Sequence, residues 1–308
     1  MSLLSFLNAE TQAPAYLIKD FLPAASVVYF SGPRKRGFKT FSQKFITAIA
    51  ATGQPYTAGN WQTKKDGSRI LMKGAPVTLV PTKPCRILSY QQEGTVLGNK
   101  SRLVNLGIGL NQWTAANVTF EPNSLGHDDY KIINVDPTNP FVENFHFFHR
   151  SQRVGFSALN FHNAQKMAAL HEAITLIKPD IVVLDAITYM HNGKENDPEN
   201  MLVMVKGLFS IRDRGITVIG VMHTSKDGQK NTELRDIDLD LRGHSSQLDA
   251  YDAHFGFRRW SPAGSGYIDL ICRYRERQET TYKVHWEIPQ PGIIGPIKLN
   301  MVRVTEEA

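Results

Sequence analysis

Lys39 and Thr40 stand where a basic loop gives way to a helical pattern, and both residue types can bind a phosphate chain. The apolar β-type run 27–31 breaks at Gly32, and apolar residues recur at helical spacing from Phe41 onward. A strand that turns into a helix through such a loop presents backbone N–H groups and a helix N-terminus to an anion. The segment therefore predicts a site for a nucleoside triphosphate, with Lys39 on its outer phosphates and Thr40 on Mg²⁺.

The predicted nucleotide-binding residues form one continuous segment of the chain. They are Gly32, Pro33, Arg34, Lys35, Arg36, Gly37, Phe38, Lys39, Thr40 and Phe41. The spacing departs from the standard pattern G-x-x-x-x-G-K-[ST], because Phe38 separates Gly37 from Lys39. The alternative is a basic turn between a strand and a helix that binds no ligand, with its charges simply solvated.

Asp185 closes the continuously apolar run 181–184. A run of this kind is typical of a parallel strand that is buried on both faces. Open α/β sheets place ligands at the carboxyl ends of their strands, and an acidic residue there can hold Mg²⁺ directly or through water. We therefore predict Thr40 and Asp185 as the metal ligands. The alternative for Asp185 is a residue that caps a turn after a core strand.

Glu93 and His223 follow two further predicted strands, residues 86–91 and 216–222. Hydrolysis of a triphosphate needs a carboxylate that orients or deprotonates water in line with the γ-phosphate, which Glu93 could supply. A histidine beside Asp185 could donate a hydrogen bond to the γ-phosphate and report its loss, and this is the role that we predict for His223. The alternatives are a surface glutamate and a partly buried histidine at a strand end.

Three arginines are candidates for a residue that a neighbouring subunit supplies to neutralise transition-state charge. They are Arg242, Arg273 and Arg275. Surface ion pairing is the alternative for each of them. The polar loops 191–197 and 226–241 contain lysines that could contact a nucleic-acid backbone, although acidic residues lie among them.

The order of the predicted elements is strand-loop-helix, then two strand-helix units and a final strand. This order indicates an α/β fold with a mostly parallel sheet flanked by helices. Residues 55–84 are rich in Gly and Pro and predict an inserted hairpin on the surface, whereas residues 253–308 predict a C-terminal antiparallel extension. With residues 1–24 as a lead-in, we expect residues 1–308 to form a single domain.

Two helices are predicted in more detail from their apolar spacing. One covers residues 95–106 and ends at Gly107. The other covers residues 198–213. We expect the second helix to bury Leu202, Val205 and Phe209.

Composition sets the class of the protein. The net charge of +6 and the pI near 9.2 permit binding to a polyanion, but a modest positive balance is common. Cys85 and Cys272 each lie in an apolar run, which predicts buried thiols in a reducing compartment rather than a disulfide. The first residues lack the basic region of a signal peptide, and no later stretch has the length of about 18 apolar residues that a membrane span needs. We therefore expect a soluble, cytoplasmic protein with no membrane partner.

The order of these motifs resembles the RecA-like P-loop ATPases, and among them the RepA-type hexameric replicative helicases of plasmids and phages. The resemblance runs from about residue 16 to residue 288. It rests on the motifs that follow, in their order along the chain: the loop 32–40; Ser89-Tyr90-Gln91-Gln92-Glu93, where that family carries its catalytic Glu; 178–185 as its Walker B strand; 221–226, where it has a strand ending in His with a nearby Lys; 242–246, which is similar to its Arg-Gly-Ser-Ser segment; and the terminal stretch with Arg273 and Arg275.

This resemblance implies a RecA-like ATPase that uses ATP and Mg²⁺ and assembles into a homo-oligomer, which is a hexamer in that family. It also implies action on single-stranded DNA as a helicase or translocase, with sites between subunits. Two features depart from the family: Phe38 lengthens the loop, and the 55–84 insertion is longer than usual. Two other functions stay open, namely a DNA-binding or assembly protein that binds nucleotide weakly or not at all, and a RecA-like recombination or regulatory ATPase that never unwinds DNA.

Overall fold

One central sheet with helices on both faces organises the molecule. The computed structural model describes residues 15–32, 38–64, 67–122, 128–150, 159–191, 197–224, 250–258, 268–289 and 293–304. The strands are β1 (Tyr16–Ile18), β2 (Leu22–Pro23), β3 (Val27–Gly32), β4 (Tyr56–Thr57), β5 (Trp61–Thr63), β6 (Arg69–Leu71), β7 (Thr78–Leu79), β8 (Ile87–Gln91), β9 (Val118–Pro122), β10 (Asp128–Ile132), β11 (Phe145–His149), β12 (Ile181–Asp185), β13 (Thr217–His223), β14 (Ala253–Arg258), β15 (Ile268–Tyr274), β16 (Thr280–Glu287) and β17 (Lys298–Arg303). The helices are α1 (Phe38–Thr52), α2 (Val96–Gly109), α3 (Pro140–Asn144), α4 (Ala164–Ile177) and α5 (Pro198–Arg212).

The central sheet has nine strands in the order β11-β8-β12-β13-β3-β14-β15-β16-β17. Neighbouring strands from β11 to β14 run parallel, and those from β14 to β17 run antiparallel. The predicted α/β fold, with a mostly parallel sheet and an antiparallel C-terminal end, is confirmed. The antiparallel part begins one strand later than predicted, because β14 pairs parallel with β3. It also includes β17, which the sequence analysis did not predict.

The four strands at the centre of the parallel region, β8, β12, β13 and β3, are buried along their whole length. Successive residues of these strands alternate between two hydrophobic clusters. One cluster includes residues of α1 and α2, and the other includes residues of α4 and α5. The apolar runs of the sequence therefore form strands that are covered on both faces, as expected for a parallel sheet.

The inserted hairpin is built from two nested pairs of strands. β4 pairs with β7, and β5 pairs with β6 inside that pair. The insertion also contacts the last strand of the central sheet, because Val77 N donates to Met301 O at 3.0 Å and Met301 N donates to Gly59 O at 2.8 Å. The hairpin is therefore anchored to the edge of the sheet rather than standing free on the surface.

Two details of the predicted helices are wrong. α2 continues past Gly107 to Gly109, and Gly107 lies inside the helix, where the Trp113 ring packs against its backbone. In α5 the side chain of Leu202 is 50% exposed. The helix instead buries Met201, Met204, Val205, Leu208 and Ile211. The buried face is thus set largely by methionines that the predicted stripe left out.

Both cysteines, Cys85 and Cys272, are buried and free, as the apolar runs around them predicted. Within the described ranges, no helix is both long enough and apolar enough to cross a membrane.

Candidate functional site

The carboxyl ends of four adjacent strands bring the predicted catalytic residues to one edge of the sheet. His223 at the end of β13 is in register with Gly32 at the end of β3. Asp185 at the end of β12 is in register with Gln91 of β8, two residues before Glu93. Because parallel strands end at a common edge, residues far apart in sequence meet here, where open α/β sheets place their ligands.

Lys39 lies in the first turn of α1 and is only 5% exposed. Its ammonium donates a hydrogen bond to the carbonyl oxygen of Met222 at 2.8 Å. A second, short contact joins the ammonium to Nδ1 of His223. These two contacts draw the lysine onto the end of β13, so that it is already positioned at the strand edge before any ligand binds.

His223 connects Lys39 to Glu93. Its Nε2 lies 2.9 Å from Oε1 of Glu93. The partners determine the tautomer: an ammonium only donates, so Nδ1 must accept from Lys39, and the ring proton is then on Nε2, which donates to the Glu93 carboxylate. A neutral imidazole thus relays between a cation and an anion at the strand ends.

The carboxyl group of Glu93 is held in its ionised form. The hydrogen bond from His223 lowers the pKa of Glu93 most, against the opposing effect of partial burial. The charge of Lys39 and a hydrogen bond from the Tyr189 side chain lower this pKa further. Tyr189 ends the short 3-10 turn Ile187–Tyr189, directly after β12, and its ring stands edge-on to the His223 ring at 6.3 Å between centroids. An ionised carboxylate with two donors is oriented well enough to position a water molecule.

Asp185 is fully buried and lies near a second lysine of α1. Nζ of Lys44 is 4.0 Å from Oδ2 of Asp185, and neither side chain is exposed. Nζ of Lys44 also donates a hydrogen bond to Oε1 of Gln91 at 2.5 Å. Burial lowers the pKa of Lys44 to about 8, although the Asp185 charge opposes this shift.

The residues at this edge fit a magnesium ion. Both carboxylate oxygens of Asp185 are buried without a hydrogen-bond partner among the described residues. Thr40, with its hydroxyl, is in the first turn of α1 and is also buried. Carboxylate and hydroxyl oxygens are the ligands that Mg²⁺ prefers, and buried polar atoms normally have partners. An acidic group left in this condition is therefore suited to receive a cation.

A cavity of about 480 Å³ opens next to Phe41, the residue that follows Thr40. Its walls come from the start of α2, from β10 and from the segment after β16. The guanidinium of Arg102 lies 5.3 Å from the centre of the Phe41 ring. This cavity, bounded by Phe41, Arg102 and Tyr130, offers apolar and cationic surface beside the predicted phosphate loop.

The structure does not bring Arg273 and Arg275 to this edge. Tyr274, between them, is in register with Ala253 at the amino end of β14, so both arginines lie at the opposite edge of the sheet from Gly32. Arg273 pairs with Glu279 at 2.9 Å. Within one chain these arginines therefore stay away from the site.

Several predicted residues cannot be placed. The predictions for Pro33, Arg34, Lys35, Arg36, Gly37 and Arg242 fall outside the described residues. Phe38 is the first residue of α1, so the helix begins directly before Lys39.

Sequence analysis missed Lys44, Gln91 and Tyr189 as members of the site. The available signal was a lysine inside the helix, between Gln43 and the apolar Phe45-Ile46 pair. Tyr189 carries no comparable signal, because its place depends on the turn after β12.

A sequence model of the AAA domain family matches residues 2–229. No curated protein matches the chain. A solved DnaB-like replicative helicase, described with its interactions with primase, has a TM-score of 0.51 and 14% identity, covering 85% of this chain and 55% of that chain. A second solved structure, of an isolated ATPase domain, has a TM-score of 0.51 and 12% identity, covering 85% of this chain and 81% of that one. The chain thus spans little more than half of the DnaB-like structure. These likenesses confirm the RecA-like fold that the order of motifs predicted.

Proposed function

Since this chain belongs to the AAA domain family, we propose that it binds and hydrolyses ATP at the carboxyl edge of its sheet. The observation that carries this proposal is the hydrogen-bonded series Lys39–His223–Glu93. A phosphate-binding lysine, a histidine and an acid able to position water come from three separate elements and meet beside the buried Asp185. ATP hydrolysis requires this combination of groups.

In this proposal the triphosphate lies against residues 32–41. The ammonium of Lys39 exchanges its present acceptors, Met222 O and Nδ1 of His223, for β- and γ-phosphate oxygens. Both present acceptors are neutral, and a phosphate oxygen is a stronger acceptor for an ammonium than either of them. Lys39 would therefore move only locally, from the strand end to the ligand.

Thr40 and Asp185 would hold Mg²⁺, which when bound supplies positive charge to the phosphate oxygens. Glu93 would orient the attacking water in line with the γ-phosphate and receive its proton. Once Lys39 has moved to the phosphates, Nδ1 of His223 loses its donor. The imidazole then becomes free to respond to the γ-phosphate, which gives His223 the sensing role predicted for it.

The cavity beside Phe41 would receive the base of the nucleotide. Its volume of about 480 Å³ lies within the range of small-molecule sites, about 300–1,000 Å³. Ring and guanidinium faces, such as those of Phe41 and Arg102, are suited to stack on a planar heterocycle.

We further propose that the chain assembles into a ring of copies, a hexamer in the family that it resembles, and moves along single-stranded DNA as a replicative helicase or translocase. The motif order supports this proposal, and a net charge of +6 is compatible with a polyanionic partner. In such a ring, Arg242, Arg273 or Arg275 of one copy would complete the site of the next. Residues 1–308 would then act as one RecA-like ATPase domain, with the 55–84 hairpin and the C-terminal strands as attachments.

Measurement of ATP turnover with and without single-stranded DNA tests the proposal. We expect Lys39→Ala and Glu93→Gln each to lower DNA-stimulated turnover by about 100-fold or more, because each removes a group that acts on the reacting phosphate. Lys206→Ala and Glu143→Gln, which change exposed residues far from the strand ends, are the matched controls. Turnover that is unchanged in both site variants would contradict the proposal.

Two further measurements separate the other functions. Titration with a fluorescent ATP analogue distinguishes an ATPase from an assembly protein, since the latter would oligomerise and bind DNA whether nucleotide is present or not. A forked-duplex assay distinguishes a helicase from a recombination or regulatory ATPase, which would hydrolyse ATP without separating strands.

A further inference from the structure

Lys44 is a fully buried lysine that the proposed reaction does not use. Its ammonium is held by two neighbours other than Asp185: it donates to Oε1 of Gln91 at 2.5 Å and lies 5.3 Å from the centre of the Phe147 ring. The carboxylate of Asp185 is the nearest described anion, with Oδ2 at 4.0 Å. A buried carboxylate without a compensating charge is strongly unfavourable, so the nearby cation is what makes the burial of Asp185 tolerable.

The distance between the two charges matters. A separation of 4.0 Å is longer than a hydrogen bond, which ends near 3.2 Å for N–H···O. Neither oxygen of Asp185 has a hydrogen-bond partner among the described residues. Lys44 therefore compensates the charge of Asp185 without occupying the lone pairs that a metal ion would use.

We propose that Lys44 is a resident counter-ion, a positioning residue that keeps Asp185 ionised and open until a metal–nucleotide complex arrives. This inference rests on the proposed function. The Lys44–Asp185 pair is neutral as a unit, so a divalent cation alone gains little attraction at this edge of the sheet. The triphosphate brings additional negative charge, and the metal binds together with it rather than before it.

An ordinary core ion pair is the competing explanation. In that case Lys44 would stabilise the fold, and its removal would have no consequence specific to a divalent cation. The two explanations differ in one measurable quantity, which is the affinity of the nucleotide-free protein for a divalent cation.

The test uses Mn²⁺ as the probe and the full chain without nucleotide. We expect Mn²⁺, followed by electron paramagnetic resonance, to bind Lys44→Met at least about tenfold more tightly than wild type, because loss of the ammonium leaves Asp185 as an uncompensated buried anion. Mn²⁺ should also raise the unfolding temperature of Lys44→Met more than that of wild type. The double variant Lys44→Met/Asp185→Asn should lose this Mn²⁺ response and recover stability.

Gln43→Met is the matched control, because it removes the neighbouring buried polar side chain of the same helix without changing a charge. Its Mn²⁺ affinity should equal that of wild type. Equal Mn²⁺ binding by wild type and Lys44→Met overturns the inference. Should Lys44→Met not fold, a double variant that is equally unfolded overturns it as well, since Lys44 would then act through packing alone.

The outcome can be separated from that of the proposed function. Turnover of ATP plays no part in the Mn²⁺ measurement. Tight Mn²⁺ binding by Lys44→Met in a protein that hydrolyses no ATP would support the counter-ion role and contradict the ATPase. Normal turnover with equal Mn²⁺ binding would do the reverse.

Discussion

Nε2 of His223 donates a hydrogen bond to Oε1 of Glu93 at 2.9 Å, although 130 positions separate the two residues in sequence. The donor is fixed by what lies on the other side of the ring, because the ammonium of Lys39 can only donate to Nδ1. The state of the carboxylate thus depends on where the lysine is. Movement of Lys39 to a ligand would be felt at Glu93 through a single imidazole.

The first prediction concerns this relay. His223→Ala should lower ATP turnover by about 100-fold, because it removes the main donor that holds Glu93 ionised and oriented. Binding of an ATP analogue should weaken much less, since Lys39 keeps its access to the phosphates. Single-turnover kinetics together with an analogue titration separates the two effects.

A double-mutant cycle shows whether His223 and Glu93 act as a unit. The double variant His223→Ala/Glu93→Gln should be little slower than Glu93→Gln alone, because the histidine acts through the carboxylate. His162→Ala, at an exposed position, is the control. Fully additive losses in the cycle would show that the two residues contribute independently.

The second prediction concerns Tyr189. Tyr189→Phe keeps the ring beside His223 and removes the phenol that donates to Glu93. We expect turnover to fall by about threefold to tenfold, because one hydrogen bond to a charged group is lost at a partly exposed position. The acid limb of the pH–rate profile should move to higher pH, since the pKa of Glu93 is no longer lowered by this donor.

Tyr130→Phe, at the wall of the cavity beside Phe41, is the comparison for Tyr189→Phe. It changes a phenol that does not contact Glu93, and the acid limb should stay in place. An acid limb that moves equally in both variants would exclude a specific contact between Tyr189 and Glu93.

The strand-end residues could be predicted from the sequence because each follows a run whose character is unambiguous. Asp185 and His223 close strands that are buried on both faces, and buried parallel strands read as continuous apolar runs. Lys39 follows a strand and opens a helix. A parallel sheet necessarily gathers such positions at one edge, so the pattern alone places them together.

Lys44 could not be predicted in the same way. Between Lys39 and Thr52 every residue of α1 except Phe41 is buried, so the helix has no polar face and no amphipathic period. In an amphipathic helix a lysine marks the solvent side, but here it faces the end of β12. Arg273 and Arg275 illustrate the complementary limit, because only the pairing of β15 with β14 shows which edge of the sheet they reach.

The third prediction concerns the close packing of α2. A Cβ on Gly107 would lie 2.0 Å from Cζ2 of Trp113, and the indole cannot retreat easily because its Nε1 donates to Val104 O at 2.9 Å. Gly107→Ala should therefore lower the free energy of unfolding by about 2–4 kcal/mol, as overpacked core substitutions do. An open helix site would instead gain about 1 kcal/mol from the same change.

Gly98→Ala in the same helix is the control for Gly107→Ala. Its new methyl group would meet only the hydroxyl of Thr95, at 3.1 Å, so we expect a change within about 1 kcal/mol. Denaturant unfolding, followed by Trp fluorescence and by circular dichroism, measures both variants. A stabilised Gly107→Ala would mean that the Trp113 ring does not pack against this turn of the helix.

The fourth prediction is a pH dependence that arises away from the site. Asp269 of β15 stands between Arg258 of β14 and Lys283 of β16. Desolvation raises the pKa of Asp269 from 3.8 to about 6, although the charge of Lys283 opposes the shift. Between these two values the folded protein binds more protons than the unfolded chain. The contribution of Asp269 to stability is therefore present below about pH 4 and is lost as the pH rises through about 6.

Asp269→Asn should remove this slope and raise the free energy of unfolding at pH 7.5 by about 1–2 kcal/mol. A shift of two pKa units corresponds to about 2.7 kcal/mol, and the lower figure allows for solvent screening of a carboxyl that is still partly exposed. Urea unfolding at intervals between pH 4 and pH 7.5 measures the slope, with the exposed Glu172→Gln as the control. A variant that keeps the wild-type slope, or that is less stable than wild type at pH 7.5, would show that Arg258 and Lys283 together compensate the charge of Asp269 in the folded sheet.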